Sequence, residues 1–329
     1  MAGFRVSIVV PAYNAEHTIG PLLDSLMKLD YPDYEIIIVN DGSTDRTREI
    51  TEQYPVRLIN QSNRGASAAR DAGLRAAAGE IVAYVDSDVA VTPEWLEHLV
   101  APFPDPAIAA TTGQTVFLRN EKCASWMRSM DIERRNAHRK KYTRLANGPN
   151  SAFRRDILLK VGGFDPRWYH AEDTEVSYRI WKLGHRIQYV PEAIVHHVPE
   201  DAWRTYLRKR YRDAKAFTRM LRKYTRLAML EDDFVGLDMK VLPPVFLTII
   251  VMTVVAGVLA LTPWFGLALL LIGFLTLFAM MFILPEALAV AHASGRYRFF
   301  FQGLALCTLR GFAWGLGLGA GGLRQVVRM

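Results

Sequence analysis

Two long apolar runs near the C-terminal end most strongly limit how this chain folds. Residues 241–261 and 263–284 are apolar throughout, and about 20 such residues are enough to cross a hydrocarbon core of about 30 Å as a helix. A buried helix pair inside a soluble domain is the alternative, but neither run has a polar face. We therefore predict a transmembrane hairpin that turns at Thr262.

A third apolar stretch, residues 299–323, is rich in glycine and carries Arg310 near its middle. A charge at that position is costly inside a membrane. Arg296 and Arg298 precede the stretch and Arg324 follows it, so the positive-inside rule favours cytoplasmic placement of both ends. Spanning, re-entrant and interfacial arrangements all stay open from the sequence.

The first 200 residues alternate between strand and helix patterns. Val6–Val10 is a short apolar run, and apolar residues recur at helical spacing from Ile19 to Leu26. The alternation continues with a strand at Glu35–Val39, an Ala-rich helix over about 65–78 and a strand at Ile81–Val85. Such alternation predicts an α/β fold with right-handed crossovers and a mostly parallel sheet.

Two carboxylates directly follow the last of these strands. Asp86 and Asp88 are one residue apart, and ligands of open α/β sheets bind beyond the carboxyl ends of the strands. One or two carboxylates commonly hold Mg²⁺ or Mn²⁺ while substrate phosphates and water complete the shell, so a nucleotide diphosphate fits such a site. A strand-terminating turn with solvated acids is the alternative.

Four motifs of this region occur in a set order. Residues 6–14, 39–45, 63–73 and 86–88 read Val-Ser-Ile-Val-Val-Pro-Ala-Tyr-Asn, Val-Asn-Asp-Gly-Ser-Thr-Asp, Asn-Arg-Gly-Ala-Ser-Ala-Ala-Arg-Asp-Ala-Gly and Asp-Ser-Asp. In this order they resemble the successive signatures of family 2 glycosyltransferases, which are inverting enzymes with a GT-A fold.

The resemblance covers roughly residues 4–200. It implies a GT-A nucleotide-diphospho-sugar transferase domain with a Rossmann-like mixed sheet over residues 1–200. Asp71 departs from the pattern, since the family often has Asn there. The implied donor contacts are Pro11, Ala12, Tyr13 and Asp41 around the nucleoside, Arg70 near the base or diphosphate, and Asp86 and Asp88 on the sugar, the ribose and the metal ion.

A Glu-Asp pair opens a later helical pattern. Acids at a helix N-terminus are stabilised by the free N–H groups and the helix dipole, so capping alone is one explanation of Glu172 and Asp173. The resemblance implies more, because the family carries such a pair here with the Asp as catalytic base. Sugar transfer needs a carboxylate that takes the proton of the acceptor hydroxyl. We predict Asp173 as this base and Glu172 as its support.

Two histidines, His196 and His197, follow the strand predicted at Ile187–Val190 and the loop after it. Neutral imidazole can ligate a metal, and in some GT-A enzymes a histidine downstream of the base completes the diphosphate site. We name His197 as a candidate metal ligand, with an ordinary loop histidine as the alternative.

Basic residues concentrate between Arg204 and Arg226. Cations just before a membrane segment are attracted to anionic headgroups, so residues 201–240 are interpreted as an interfacial juxtamembrane segment before a transmembrane region at 241–329. Arg208 and Arg210 are candidates for contact with donor or lipid phosphate. Nucleic acid is not predicted as a partner, because no recognition motif accompanies the charge.

Three further observations bear on the type of enzyme and on its surroundings. Processive synases of the family carry Gln-X-X-Arg-Trp, whereas the one Arg-Trp pair here, Arg167-Trp168, has Phe164 in place of the Gln. This favours addition of a single sugar. The net charge of +7 suits contact with nucleotides and anionic lipid, and only two cysteines favour a reducing cytoplasm for the catalytic part.

The sequence thus predicts an α/β enzyme anchored to the cell membrane by a multi-pass C-terminal region. It transfers one sugar, with inversion, from a UDP- or GDP-sugar to a lipid or lipid-linked acceptor at the cytoplasmic face, using Mg²⁺ or Mn²⁺. Such reactions build cell-envelope polysaccharides and glycolipids. A polyprenyl-phosphate sugar synthase and a non-catalytic nucleotide-sugar-binding membrane subunit are the alternatives. The sugar, the base and the acceptor are not specified.

Overall fold

The computed structural model describes residues 3–199, 202–230, 237–260, 262 and 264–326. The chain divides into two compact units. The first comprises the described residues up to Leu118 and Asn136–Val198. The second comprises Arg119–Arg135 and the described residues after Val198.

Strands and helices alternate along the first unit, as predicted. The strands are β1 Val6–Ala12, β2 Tyr34–Asp41, β3 Arg57–Gln61, β4 Ile81–Val85, β5 Val89–Val91, β6 Ile108–Phe117, β7 Tyr142–Thr143, β8 Asn150–Arg154 and β9 Arg186–His197. The helices of the whole chain are α1 Ile19–Leu26, α2 Thr47–Thr51, α3 Ala66–Ala76, α4 Trp95–Val100, α5 Cys123–Ala137, α6 Arg155–Lys160, α7 Glu172–Lys182, α8 Trp203–Leu230, α9 Leu237–Val258, α10 Phe265–Ser294 and α11 Arg298–Val326.

The nine strands of the described residues form one mixed sheet in the order β3-β2-β1-β4-β8-β6-β9-β5, with β7 on β9. Strands β1, β2, β3 and β4 are mutually parallel, as predicted. The sheet is less parallel beyond β4, because β8 inserts antiparallel between β4 and β6. The loops after β1, β2 and β4 therefore open at one edge of the sheet.

Both faces of the sheet are covered, which explains its nearly continuous apolar strands. Ile8 packs into a core with α1 and α4, where Leu22 and Trp95 are fully buried. The adjacent Val9 packs into a second core with α3, α6 and α7. Successive side chains of a strand point to opposite faces, so each strand residue serves one of the two cores.

Strand β9 is longer than the sequence predicts. The expected strand ended at Val190, but β9 continues through Pro191 to His197. Its pairing with β6 shifts register between Gly113 and Gln114, where the partner changes from Val190 to Ile194. The shift leaves Pro191 out of the ladder, which tolerates a residue without an N–H donor.

The second unit is helical. Three of its described helices are long and apolar enough to cross a membrane: Val241–Val258, Phe265–Ser294 and Arg298–Gly322. They correspond to the two predicted spans and the third apolar stretch. Residues 231–236 of the predicted juxtamembrane segment, and Leu261 and Pro263 at the predicted hairpin turn, lie outside the described residues.

Helix α5 differs from the predicted domain arrangement. The sequence placed it inside the catalytic domain of residues 1–200, whereas Arg119–Arg135 groups with the C-terminal helices. The reason is an apolar face on α5, since Cys123 and Met127 are buried in the same core as Phe246 and Trp314.

Candidate functional site

Three possible metal ligands lie together in the first unit. Asp86 follows β4, Asp88 precedes β5, and His197 ends β9. The antiparallel pairing of β5 with β9 sets Val89 opposite His197, and this register brings the histidine to the two acids. One ligand atom from each of the three side chains lies within 4.8 Å of the others. The arrangement has the spacing of a divalent-metal site.

The His197 ring is oriented for ligation. Its Nδ1 lies 2.8 Å from the Val198 carbonyl oxygen, which only accepts, so we assign the proton to Nδ1. Nε2 then faces the acids, 3.4 Å from Oδ1 of Asp88. The ring stacks on Phe117 with centroids 4.3 Å apart. Two carboxylates and an imidazole nitrogen held in this way fit a metal such as Mn²⁺.

Arg70 joins this cluster to the predicted base motif. The side chain projects from α3 and is 4% exposed. Its Nη2 donates to Oδ1 of Asp86 at 2.7 Å, and its Nη1 donates to Oε1 of Glu172. The Arg70 guanidinium, predicted near the base or diphosphate, thus has two protein carboxylates as partners. It positions both of these acids.

Burial raises the pKa of the Glu172 carboxyl to about 7, against the opposing charge of Arg70. The same ion pair raises the pKa of Arg70 despite its burial. Arg70 and Glu172 thus form a buried ion pair. Removal of either partner would leave the other buried without its counter-charge.

Asp173 lies in the first turn of α7, whose N-cap Ala171 has φ 59°. Its Oδ2 accepts from the backbone N–H of Gly148 at 3.0 Å, and its Oδ1 accepts from that of Thr174 at 2.7 Å. These two backbone donors hold the carboxylate at the start of α7. The carboxylate stays partly exposed, so a reacting hydroxyl can approach it.

Asp41 is buried at the end of β2 with a relative exposure of 3%. It accepts hydrogen bonds from Nε2 of Gln61 and from the backbone N–H groups of Arg64 and Gly65. These bonds fix the loop that enters α3. Asp41, predicted at the nucleoside, therefore fixes the conformation of the loop between β3 and α3 at this edge of the sheet.

The other residues predicted at the nucleoside lie at the end of β1. Ala12 is buried, whereas Tyr13 is 51% exposed. Pro11, in β1, is half-buried. Asn14 connects this loop to the next one, because its side-chain oxygen accepts from the backbone N–H of Thr44 at 2.9 Å. The loops after β1 and β2 thus form one polar edge.

Arg208 and Arg210 lie on α8 in the second unit. Arg208 is exposed. Arg210 is 3% exposed and pairs with Asp213 at 3.1 Å, because it lies on the face of α8 that packs inside the unit. Their contact with phosphate stays a prediction.

Sequence reasoning did not find two contributors to this site. Phe117 supports the His197 ring, and the Gly148 N–H holds Asp173. Neither residue type marks a site by itself, since the first acts through stacking and the second through its backbone. Phe117 could be assigned to the site only from the pairing of β6 with β9, which brings it opposite His197.

The fold and the motifs agree with comparisons to known proteins. Residues 7–162 match the family model described as Glycosyl transferase family 2. The chain is 30% identical over 239 residues to the probable glycosyltransferase YdaM of Bacillus subtilis (strain 168), covering 64% of this chain and 54% of that protein. The chain therefore spans about half the length of this relative.

Two further proteins are similar. The glucosyl-dolichyl phosphate glucuronosyltransferase of Haloferax volcanii is 28% identical over 218 residues, which cover 59% of this chain and 69% of that protein. The structure of mannosyltransferase PcManGT from Pyrobaculum calidifontis in complex with GDP-Man and Mn²⁺ has a TM-score of 0.59 and 25% identity, covering 95% of this chain and 86% of that one.

The mixed α/β sheet with its acidic edge is a GT-A fold. Over residues 7–162, the chain matches family 2 of the glycosyltransferases.

Proposed function

We propose that the chain transfers a single sugar, with inversion, from a nucleotide-sugar donor to a lipid or lipid-linked acceptor at the cytoplasmic face of the membrane. The observation that carries the proposal is the convergence of Asp86, Asp88 and His197 at one sheet edge, joined through Arg70 to the Glu172-Asp173 motif.

In this proposal the three ligand side chains hold Mn²⁺. Carboxylates suit both Mg²⁺ and Mn²⁺, but the imidazole nitrogen favours Mn²⁺, because Mg²⁺ is usually bound through oxygen. When bound, the ion neutralises charge that develops on the departing diphosphate. The Mn²⁺ and GDP-Man complex of PcManGT supports this choice and a nucleoside-diphosphate sugar as donor.

The protein groups then perform the proton transfer. Asp173, held in place by the N–H groups of Gly148 and Thr174, takes the proton of the acceptor hydroxyl as that oxygen attacks the anomeric carbon. Attack opposite the leaving group in one step inverts the anomeric configuration. Arg70 holds Asp86 and Glu172 in place during the reaction. It thereby fixes the position of the metal ligands relative to the catalytic base.

A lipid acceptor is supported by two observations. Three helices are apolar enough to cross a membrane, and a transferase that is bound to the bilayer works beside lipid-borne substrates. The relative from Haloferax volcanii is named for action on a glucosyl-dolichyl phosphate.

Donor binding by the purified full chain in detergent tests the metal assignment. We expect GDP-mannose or a UDP-sugar to bind in calorimetry with MnCl₂ and not with EDTA. Asp88→Ala should abolish this binding, and His197→Ala should weaken it by about 10-fold or more, since even residues behind a metal ligand commonly contribute that much.

His196→Ala is the matched control, because neighbouring strand residues face opposite sides of the sheet and His196 is outside the cluster. It should bind the donor like the wild type. Undiminished donor binding in EDTA, or equal losses for the two histidine variants, would refute the metal site.

A further inference from the structure

Helix α11 has one exposed apolar face in the second unit. Phe301 is 70% exposed, Leu309 44% and Leu316 52%. With Ala305 and Phe312 they recur at spacings of three or four residues, so they form one stripe along the helix. An exposed apolar stripe of this length needs an apolar partner.

The opposite face of α11 packs side by side with α8. A Cβ added at Gly317 would clash with the backbone oxygen of Tyr211, and one at Gly321 would lie 2.9 Å from the Thr218 side chain. Nearer the start of the contact, Nη1 of Arg310 lies 3.4 Å from the Tyr206 hydroxyl. The contacts advance in the same order along both helices, so α8 accompanies the C-terminal half of α11.

The outer face of α8 is cationic. Its exposed basic residues are Arg204, Arg208, Arg212, Arg219, Arg222 and Lys223. If α11 crossed the bilayer, the part of α8 that accompanies it would carry exposed arginines to hydrocarbon depth. Charged side chains there are costly and normally face the protein interior or a water-filled cavity. A crossing α11 is therefore disfavoured.

The ion pair between α10 and α11 indicates the depth of α11. Glu286 accepts from Nη1 of Arg310 at 2.7 Å, and Arg310 is 2% exposed. Glu286 lies about 31 Å along α10 from Phe265 at the standard helical rise. This distance places it at the end of a membrane crossing rather than at its middle. Arg310, near the centre of α11, then lies at the membrane surface.

We infer that α11 lies in the plane of the membrane surface and that α9 and α10 alone cross it. The apolar stripe of α11 enters the boundary between headgroups and acyl chains, and α8, on the side of α11 away from the hydrocarbon, keeps its exposed cations in water near the anionic headgroups. The partner of this surface is thus an anionic lipid leaflet. The inference rests on the proposed membrane attachment and is independent of the proposed sugar transfer.

Chain connectivity gives the first test. With two crossings, a topology reporter fused after Met329 should lie on the same side as a reporter fused to the N-terminus, and one inserted at Thr262 should lie on the other side. A C-terminal reporter on the Thr262 side would overturn the inference. All three reporters on one side would overturn the crossing hairpin as well, which identifies a failure of the membrane attachment itself.

Depth measurement gives the second test, on full-length protein in phosphatidylglycerol–phosphatidylethanolamine vesicles. Spin labels at Phe312→Cys and Phe274→Cys, in a Cys123→Ala/Cys307→Ala background, compare an exposed phenylalanine on α11 with one on α10. We expect the α11 label at headgroup depth and the α10 label near the bilayer centre. Equal depths near the centre would show a crossing α11.

Discussion

At the scale of single residues, the site depends on one buried cation shared by two elements. Arg70 on α3 contacts Asp86 at the end of β4 and Glu172 at the start of α7. Sequence motifs predicted a functional role for each of the three residues. They could not identify the shared contact, because it depends on how a helix and a strand end are arranged in three dimensions.

Removal of Arg70 should therefore destabilise the first unit. Arg70→Ala removes the partner of the mostly buried Glu172 and of the partly exposed Asp86, and loss of such a pairing costs about 3–5 kcal/mol. Arg75→Ala is the control on the same helix, since its ion pair with Asp71 is 64% exposed on the arginine side and contributes at most about 1 kcal/mol. Urea unfolding followed by fluorescence of the buried Trp95 and Trp168 measures both.

Arg70→Lys separates positioning from general stability. Lysine keeps the charge but lacks the fork that reaches two carboxylates, so we expect a folded protein with weakened Mn²⁺ affinity. A lysine variant with wild-type Mn²⁺ affinity would mean that Arg70 only supports the fold.

At the scale of elements, the sequence predicted the helices and strands that carry strong periodicity. Helix α1 contains the expected buried Ile19, Leu22, Leu23 and Leu26, and α7 begins at Glu172 as expected. The extension of β9 to His197 was not predicted, because Pro191 is normally a strand breaker and the compensating register shift lies in the partner strand. The position of α5 was missed because its pattern is that of any amphipathic helix.

The buried acid of α5 carries a prediction for the second unit. Asp131 is 7% exposed and accepts from Arg135 at 2.9 Å and 3.1 Å. Burial opposes its ionisation, but Arg135, Arg128 and two further arginines hold the pKa of Asp131 well below its usual range. The stabilisation is therefore present at neutral pH and is lost as the pH falls through that lowered pKa.

Asp131→Asn should accordingly destabilise the protein by about 3–5 kcal/mol at neutral pH, because several arginines lose their counter-charge. Glu133→Gln on the same helix is the control, since Glu133 is 50% exposed and pairs with Arg119, and it should change stability by about 1 kcal/mol or less. Thermal unfolding of the full chain in detergent compares the two. Equal stability of both variants would contradict the description of α5 as a packed helix of this unit.

At the scale of the whole molecule, the sequence predicted an α/β part followed by an apolar helical part, and the structure has an α/β unit and a helical unit. The disposition of α11 could not be predicted, since a glycine-rich helix with an arginine near its middle is compatible with several arrangements. Its contacts with α8 supply the missing information. We propose that the first unit binds the donor and the metal ion and that the second unit contacts lipid.

We propose that Asp173 takes the proton of the acceptor hydroxyl, and the turnover of the Asp173→Asn variant tests this role most directly. Asparagine is also a good residue for a helix N-terminus, so the fold should be kept. With the nucleotide sugar that binds in Mn²⁺ and a lipid extract as acceptor, we expect release of the nucleoside diphosphate to fall by about 100-fold or more at nearly unchanged donor affinity. Asp156→Asn, in the first turn of α6, should behave like the wild type. An Asp173→Asn variant that retains more than about a tenth of wild-type turnover would contradict the account.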